Sequence, residues 1–205
     1  MMPRTIFCLA LALGIATWSS QASAFDGKRK GFVLGVSIGP SASSFYHKHQ
    51  IQTGYYFTAN GESTSVVTIE DSRYHPGVST DFRIGFAPSA HWSIFYDNRV
   101  SWFGNTEGDA TVTSGVTSLA TRYYFAPTGR CWYVTAGLGV AGWQLLEKRS
   151  GSSAGGLGWF FGGGRQLRKH MELEAFLLHG ANQGDFPGVD DRTNSFALTL
   201  GWAGY

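Results

Sequence analysis

The chain has 205 residues, of which only 15% are charged against 15% aromatic, with 28 glycines and a mean hydropathy of -0.10. Typical soluble domains carry roughly 25% charge and about half this glycine, so the composition fits a protein that shows apolar surface in strips. The near-balance of 16 basic and 14 acidic residues excludes nucleic acid as the main partner.

The chain opens with MMPRTIFCLALALGIATWSSQASA. One early Arg4 precedes an apolar run from Ile6 to Trp18, and Ala22-Ser23-Ala24 supplies small residues at the end. This predicts a cleaved secretory signal over 1–24, bacterial in pattern, with a mature domain over 25–205. The apolar run is too short for a spanning helix, which needs about 20 residues. Cys8 lies inside the apolar run, not at its end, so it is no lipid-attachment site. Cys131 is the single cysteine after residue 24, so no internal disulfide is expected.

Strict alternation then dominates. Phe32, Leu34, Val36 and Ile38 share a face. So do Val78, Thr80, Phe82, Ile84 and Phe86, and next Trp92, Ile94, Tyr96, Asn98, Val100 and Trp102. Further runs follow at Thr117–Phe125, Trp132–Val140, Leu157–Phe161, Met171–Leu177 and Phe196–Trp202. These predict eight strands. The connections APSA, APTGR and QLRKH are tight, whereas 45–75, 104–111, 147–154 and 181–192 are longer and more polar. In the first of these, Tyr55, Tyr56, Phe57 and the strand-like TSVVTIE predict an extension of the first hairpin.

Short turns at one end and long loops at the other predict an all-β fold, an eight-stranded antiparallel up-and-down transmembrane β-barrel with both termini periplasmic. Lipid offers no hydrogen-bond partners, so a sheet can cross it only by closing on itself. Trp92 and Trp102 lie ten residues apart, or ~33 Å at ~3.3 Å per residue. A tilt of about 40° projects that to ~25 Å, the height of an apolar band. Trp92, Trp102, Trp132 and Trp202, with Phe125, are the predicted aromatic girdle. A soluble sandwich or lipocalin-like barrel would show the same alternation with its faces reversed. The Gly- and Ser-rich polar face and the scarcity of charge favour the membrane.

The predicted inner faces carry Asp81, Arg83, Asp97, Arg99, Arg122, Glu172 and Glu174, with Arg165 near a strand end. Buried charges must be paired or solvated. Eight strands leave room only for side chains, so an ion-pair plug is expected in preference to a solute channel. Glu172 and Glu174 share a face and cannot bracket a sugar as a glycosidase pair does. His47 and His49 have no adjacent ligand partner, so no metal site is expected, and no cofactor motif occurs.

Two resemblances accompany these readings. HGANQGDFPGVDD, 179–191, resembles the closing motif of the lipid A 3-O-deacylases, eight-stranded outer-membrane esterases. That resemblance implies a catalytic role for His179, with Asp190 or Asp191 orienting it and Asn182 matching. Position 181 is alanine where the motif holds the serine nucleophile, and Ser195 lies well into the next strand, so acyl transfer is disfavoured. More broadly, GKRKGFVLGVSIGP, TDFRIGFAPSAHWSIFYDNRVSWFG, TRYYFAPTGRCWYVTAGLGVAGW and RKHMELEAFLLHG resemble the small OmpA/OmpX-type outer-membrane barrels. This implies a bacterial outer-membrane location, the lipids and lipopolysaccharide of that membrane and the barrel assembly machinery as partners, and a monomer. It also implies a final aromatic in step with the outward face. Tyr205 is one residue out of step with Trp202, and a bulge near Ala203-Gly204 would restore the phase. The expectation is a non-catalytic barrel acting through its extracellular loops.

Overall fold

The structure, a computed structural model, describes residues 29–49, 67–69, 73–104, 111–146, 152–183 and 190–205. Among the described residues no helix is long and apolar enough to cross a membrane. The chain instead runs through nine strands: β1 (Gly31–His49), β2 (Val67–Ile69), β3 (His75–Ala87), β4 (Trp92–Gly104), β5 (Thr111–Tyr124), β6 (Trp132–Leu145), β7 (Ser152–Gln166), β8 (Met171–Gln183) and β9 (Asp190–Gly204).

Each strand from β3 onward pairs antiparallel with the next, β1 pairs with β3, and β9 returns to β1. The eight long strands therefore close an up-and-down barrel with no free edge. Short β2 pairs only with the far end of β1, His47–His49, and prolongs the first hairpin. Its sequence, VTI, falls within the strand-like TSVVTIE; Tyr55, Tyr56 and Phe57 lie outside the described residues. Pro40 sits inside β1 facing outward and lacks an amide donor. The β1–β9 ladder skips Gly39 and Pro40 and resumes at Ser41 in unchanged register.

The strands outrun their sequence signal at the long-loop end. The segments expected as loops at 45–75, 147–154 and 181–192 still contribute His47–His49, Ser152–Ala154, Ala181–Gln183 and Asp190–Arg192 to the ladders. Backbone pairing continues there after the apolar alternation has faded into Ser, Gly, Asn and Asp. A register shift between Ala141 and Gly142 marks a bulge where β7 enters the barrel.

The faces divide cleanly. In β4 every odd position from Ser93 to Phe103 is buried and the even ones are partly or fully exposed. Exposed apolar side chains cover the outside, among them Ile38 (60%), Leu119 (70%), Leu138 (60%) and Phe161 (56%). Inside, small residues make the space. A Cβ on Gly137 would lie 2.3 Å from the Phe160 ring, and one on Gly35 would lie 2.9 Å from the Arg83 guanidinium. Each glycine is a notch for a large side chain from another strand.

No bulge occurs at Ala203-Gly204, so the expected phase correction is absent. The β1–β9 register runs without interruption from Leu200 to Gly204, and Tyr205 follows Ala203 into the interior, 2% exposed. The inward turn is held by a tertiary contact: the Tyr205 hydroxyl meets the Tyr124 hydroxyl inside the lumen.

Candidate functional site: a closed, charged lumen and an aromatic outer rim

The interior is layered from the short-turn end upward. Its floor is Tyr124, Tyr133 and Tyr205, packed with Val33, Ala87, Cys131 and Ala203. Arg29 closes the floor from below. It donates to Gln166 Oε1 at 2.8 Å and to the carbonyls of Ala126 (2.5 Å) and Gly129 (2.7 Å), and it stacks 4.3 Å over the Tyr124 ring. Gly129 adopts φ 75°, which lets the turn carbonyls converge on the guanidinium.

Above the floor lie the seven charged side chains of the predicted inner faces, all 5% exposed or less. β3 supplies Asp81 and Arg83, β4 supplies Asp97 and Arg99, β5 supplies Arg122, and β8 supplies Glu172 and Glu174. Glu174 is the hub. Its carboxylate takes Arg99 Nη1 at 2.7 Å, Arg122 Nη2 at 2.5 Å and Arg83 Nη1 at 3.5 Å. The Tyr133 hydroxyl adds a hydrogen bond at 3.1 Å. Glu172 bridges Arg83 and Arg122, the latter at 2.7 Å. Asp97 holds Arg99 at 3.1 Å, while Asp81 lies 3.4 Å from Arg83 and accepts from Ser37 Oγ at 2.6 Å.

Three guanidiniums thus face four carboxylates across the lumen. Such a cluster is tolerable in low dielectric only because each charge meets opposite charge or a hydrogen bond. The aromatic walls help: Arg99 lies between Phe160 (3.9 Å) and Phe176 (4.3 Å), and Arg122 lies 4.0 Å over Tyr133.

Phe95, Phe160, Phe176 and Leu178 form an apolar cluster against the charges with Val116, Ala120, Ala141 and Ala197. Higher still, inward hydroxyls pair: Ser43 with Ser195, its ladder partner on β9, at 2.7 Å, and Ser114 with Thr193 across the lumen at 2.7 Å. Phe45 and Trp143, with ring centres 5.0 Å apart, stand nearest the long loops.

Outside, the expected girdle residues are all exposed: Trp92 47%, Trp102 39%, Trp132 61%, Trp202 39%, and Phe125 60%. At the short-turn end Trp92 packs on Tyr123 at 4.9 Å, which meets Phe125 edge-on. His91 and His170 complete this belt against Tyr123 and Trp202. Arg165 faces outward on β7 and lies 5.5 Å over the Trp132 ring, so it is no part of the lumen cluster.

His179 also faces outward. Its Nδ1 lies 2.7 Å from Asn194 Oδ1, and its ring packs on Trp159 at 5.4 Å. The partners needed for acyl transfer do not gather around it. Ala181, the nucleophile position, pairs in register with Leu157 and Arg192. Ser195 faces the lumen, 2% exposed, on the other side of the sheet. Asp190 and Asp191 pair in register with Gln183 and Asn182; their side chains, like those of His47, His49 and Asn182, lie outside the described set. Among the described residues no group of His, Cys, Asp and Glu could hold a metal ion.

Sequence reasoning missed Arg29, the tyrosine floor and the Phe160–Phe176 clamp. The signal was parity. Tyr124 shares a face with Arg122, and Phe176 with Glu174, so large aromatics on the polar face marked lumen filling.

No protein-family model and no curated protein matches the sequence. In structure the chain is similar to Neisserial surface protein A, with a TM-score of 0.50 and 12% identity over 84% of this chain and 96% of that one. It is also similar to the attachment invasion locus protein Ail of Yersinia pestis, with a TM-score of 0.45 and 16% identity over 85% and 99% of the two chains. A third likeness is to the outer membrane protein OprG of Pseudomonas aeruginosa, with a TM-score of 0.45 and 11% identity over 86% and 98%. At these identities the likeness is one of fold, and the Neisserial barrel is the neighbour that carries it.

Proposed function

We propose that this chain is an integral outer-membrane barrel with a plugged lumen, acting through its long-loop end in surface contact and not through catalysis or conduction. The observation that supports it is an inverted distribution of polarity. Charge is buried at the barrel axis, while exposed Ile, Leu, Phe and Trp form a continuous outer belt. A soluble barrel would show the reverse, because an apolar exterior of this extent costs about 25 cal/mol per Å² in water. In lipid the same surface is at home.

Closure of the lumen supports the non-conducting part of the reading. Charged residues from four strands meet on the axis, Arg29 and the tyrosine floor close the barrel below them, and inward hydroxyls pair above. The short-turn end is read as periplasmic, and 1–24 as an export signal. N-terminal sequencing of the envelope protein should begin at Phe25.

The test is direct. Purified from outer membranes, the protein should migrate differently on a gel before and after boiling, and it should give no conductance steps in a planar bilayer. Recovery in the aqueous periplasmic fraction would sink the membrane reading, and steady unitary steps would sink the plug. Lipid A acylation, read by mass spectrometry, should be the same with wild type and His179→Ala.

A further inference from the structure

The short-turn end of the barrel carries a charge asymmetry that the plug does not use. Its described segments, 29–30, 88–91, 125–131 and 165–170, contain Arg29, Lys30, Arg130, Arg165, Arg168 and Lys169 and no acidic residue. Arg29 is buried and committed to the floor. Arg130, Arg165, Arg168 and Lys169 are exposed. Among the described residues none of these four has a carboxylate within ion-pair distance.

They are not spread evenly around the rim. Arg130 stands on the β5–β6 turn, Arg165 ends the outer face of β7, and Arg168 and Lys169 form the β7–β8 turn. Between the two turns lies a half-open groove of about 490 Å³ lined by Arg130, Arg165, Leu167, Arg168 and Met171. A second hollow of about 360 Å³ adjoins it, with Arg130 and Arg168 in both walls and Lys169 beyond.

We infer that this groove binds the headgroup of an anionic glycerophospholipid in the leaflet facing the short-turn end. The lining is amphipathic in the required sense. Three guanidiniums supply the donor geometry that phosphate oxygens accept, while Leu167 and the 37% exposed Met171 supply apolar wall. Arg165 is held 5.5 Å over Trp132, an outer-belt residue, which places one cation at the boundary between acyl chains and water. A phosphodiester sits at that depth. A zwitterionic headgroup would bring its own ammonium into a groove with no carboxylate to receive it. A free phosphate would leave the apolar wall unused. Basic pockets at the edge of a spanning segment are a general means of holding anionic lipid headgroups.

The inference rests on the reading of the outer belt as lipid-facing. The experiment uses the full chain in nanodiscs of equimolar phosphatidylcholine and phosphatidylglycerol, gentle extraction, and native mass spectrometry of co-purified lipid. Wild type should retain phosphatidylglycerol in preference. Paired Arg165→Gln and Arg168→Gln substitutions should lower that preference about twenty-five-fold, at about fivefold per cation removed. Should the double variant fail to shift on heating, Arg168→Gln alone, in an exposed turn, should lower it about fivefold. Lys30→Gln, at the same end but outside the groove, should leave it unchanged.

Equal retention of both lipids, or an unchanged preference in the Arg168→Gln variant, overturns the inference. An equal loss with Lys30→Gln overturns the groove in favour of diffuse attraction. Displacement by soluble glycerol phosphate at lipid-like concentrations overturns the lipid as ligand. A chain that does not enter nanodiscs at all instead defeats the membrane reading. A chain that enters without lipid preference defeats only this one.

Discussion

Glu174 shows how much of this interior hangs on one side chain. It accepts from three guanidiniums and a tyrosine hydroxyl, so its removal leaves several buried donors without that acceptor, although Arg83, Arg99 and Arg122 each keep a second carboxylate. Glu174→Ala should destabilise the barrel by about 3 kcal/mol, the upper end for buried donors left unsatisfied. Urea unfolding followed by tryptophan fluorescence would read the loss. Gly137 is the complementary case. With a Cβ only 2.3 Å from the Phe160 ring, Gly137→Ala must push that ring off Arg99. The expected cost is about 1–3 kcal/mol, the usual range for overpacking, and Phe160→Leu in the same chain should recover part of it.

Each strand presents one face to lipid and one to the axis, so position along the strand sets the cost of a charge. Leu119 and Leu138 are directly paired on β5 and β6, 70% and 60% exposed, midway along the outer belt. Leu119→Arg should cost about 2–4 kcal/mol in lipid vesicles, the range for a cation at the bilayer midplane. Leu146 is nearly as exposed, at 52%, but lies just beyond the long-loop end of β6. Leu146→Arg should cost about 0–1 kcal/mol, as near the interface. Equal costs at the two sites would contradict a lipid belt on this face. The strands themselves were legible in the sequence through Trp92–Trp102 and its seven counterparts. Their upper ends were not, because Ser152–Ala154 and Ala181–Gln183 are held by ladder bonds and carry no amphipathic signal.

Taken as one body, the barrel is ion-paired at the axis and amphipathic at the rim. Conductance is the whole-molecule measurement that follows. A lumen crossed by Arg83, Arg99 and Arg122 should stay closed in wild type. Because Glu174→Ala leaves the aromatic and hydroxyl layers in place, that variant should lose stability without opening steady steps. The same view separates the two outward polar features. His179 and Asn194 pair with each other near the long loops, whereas at the opposite end Arg165 and Arg168 have no carboxylate partner among the described residues.

The sequence by itself determined the number of long strands, which residues share a face, the scarcity of charge and its concentration on one parity. Period-two alternation and turn chemistry are local, so they survive in one dimension. Only the tertiary structure decided how Glu172 and Glu174 divide three arginines, that Arg29 reaches across the floor to Gln166, that Arg165 turns outward, and that Tyr205 turns in to meet Tyr124. The reason is closure. A barrel brings residues more than a hundred positions apart onto one axis, and their partners are set by shear and side-chain reach, which no neighbouring residue encodes. The alanine at 181 stood in the sequence from the start; that Ser195 cannot replace its missing hydroxyl became visible only when the sheet placed it on the opposite face.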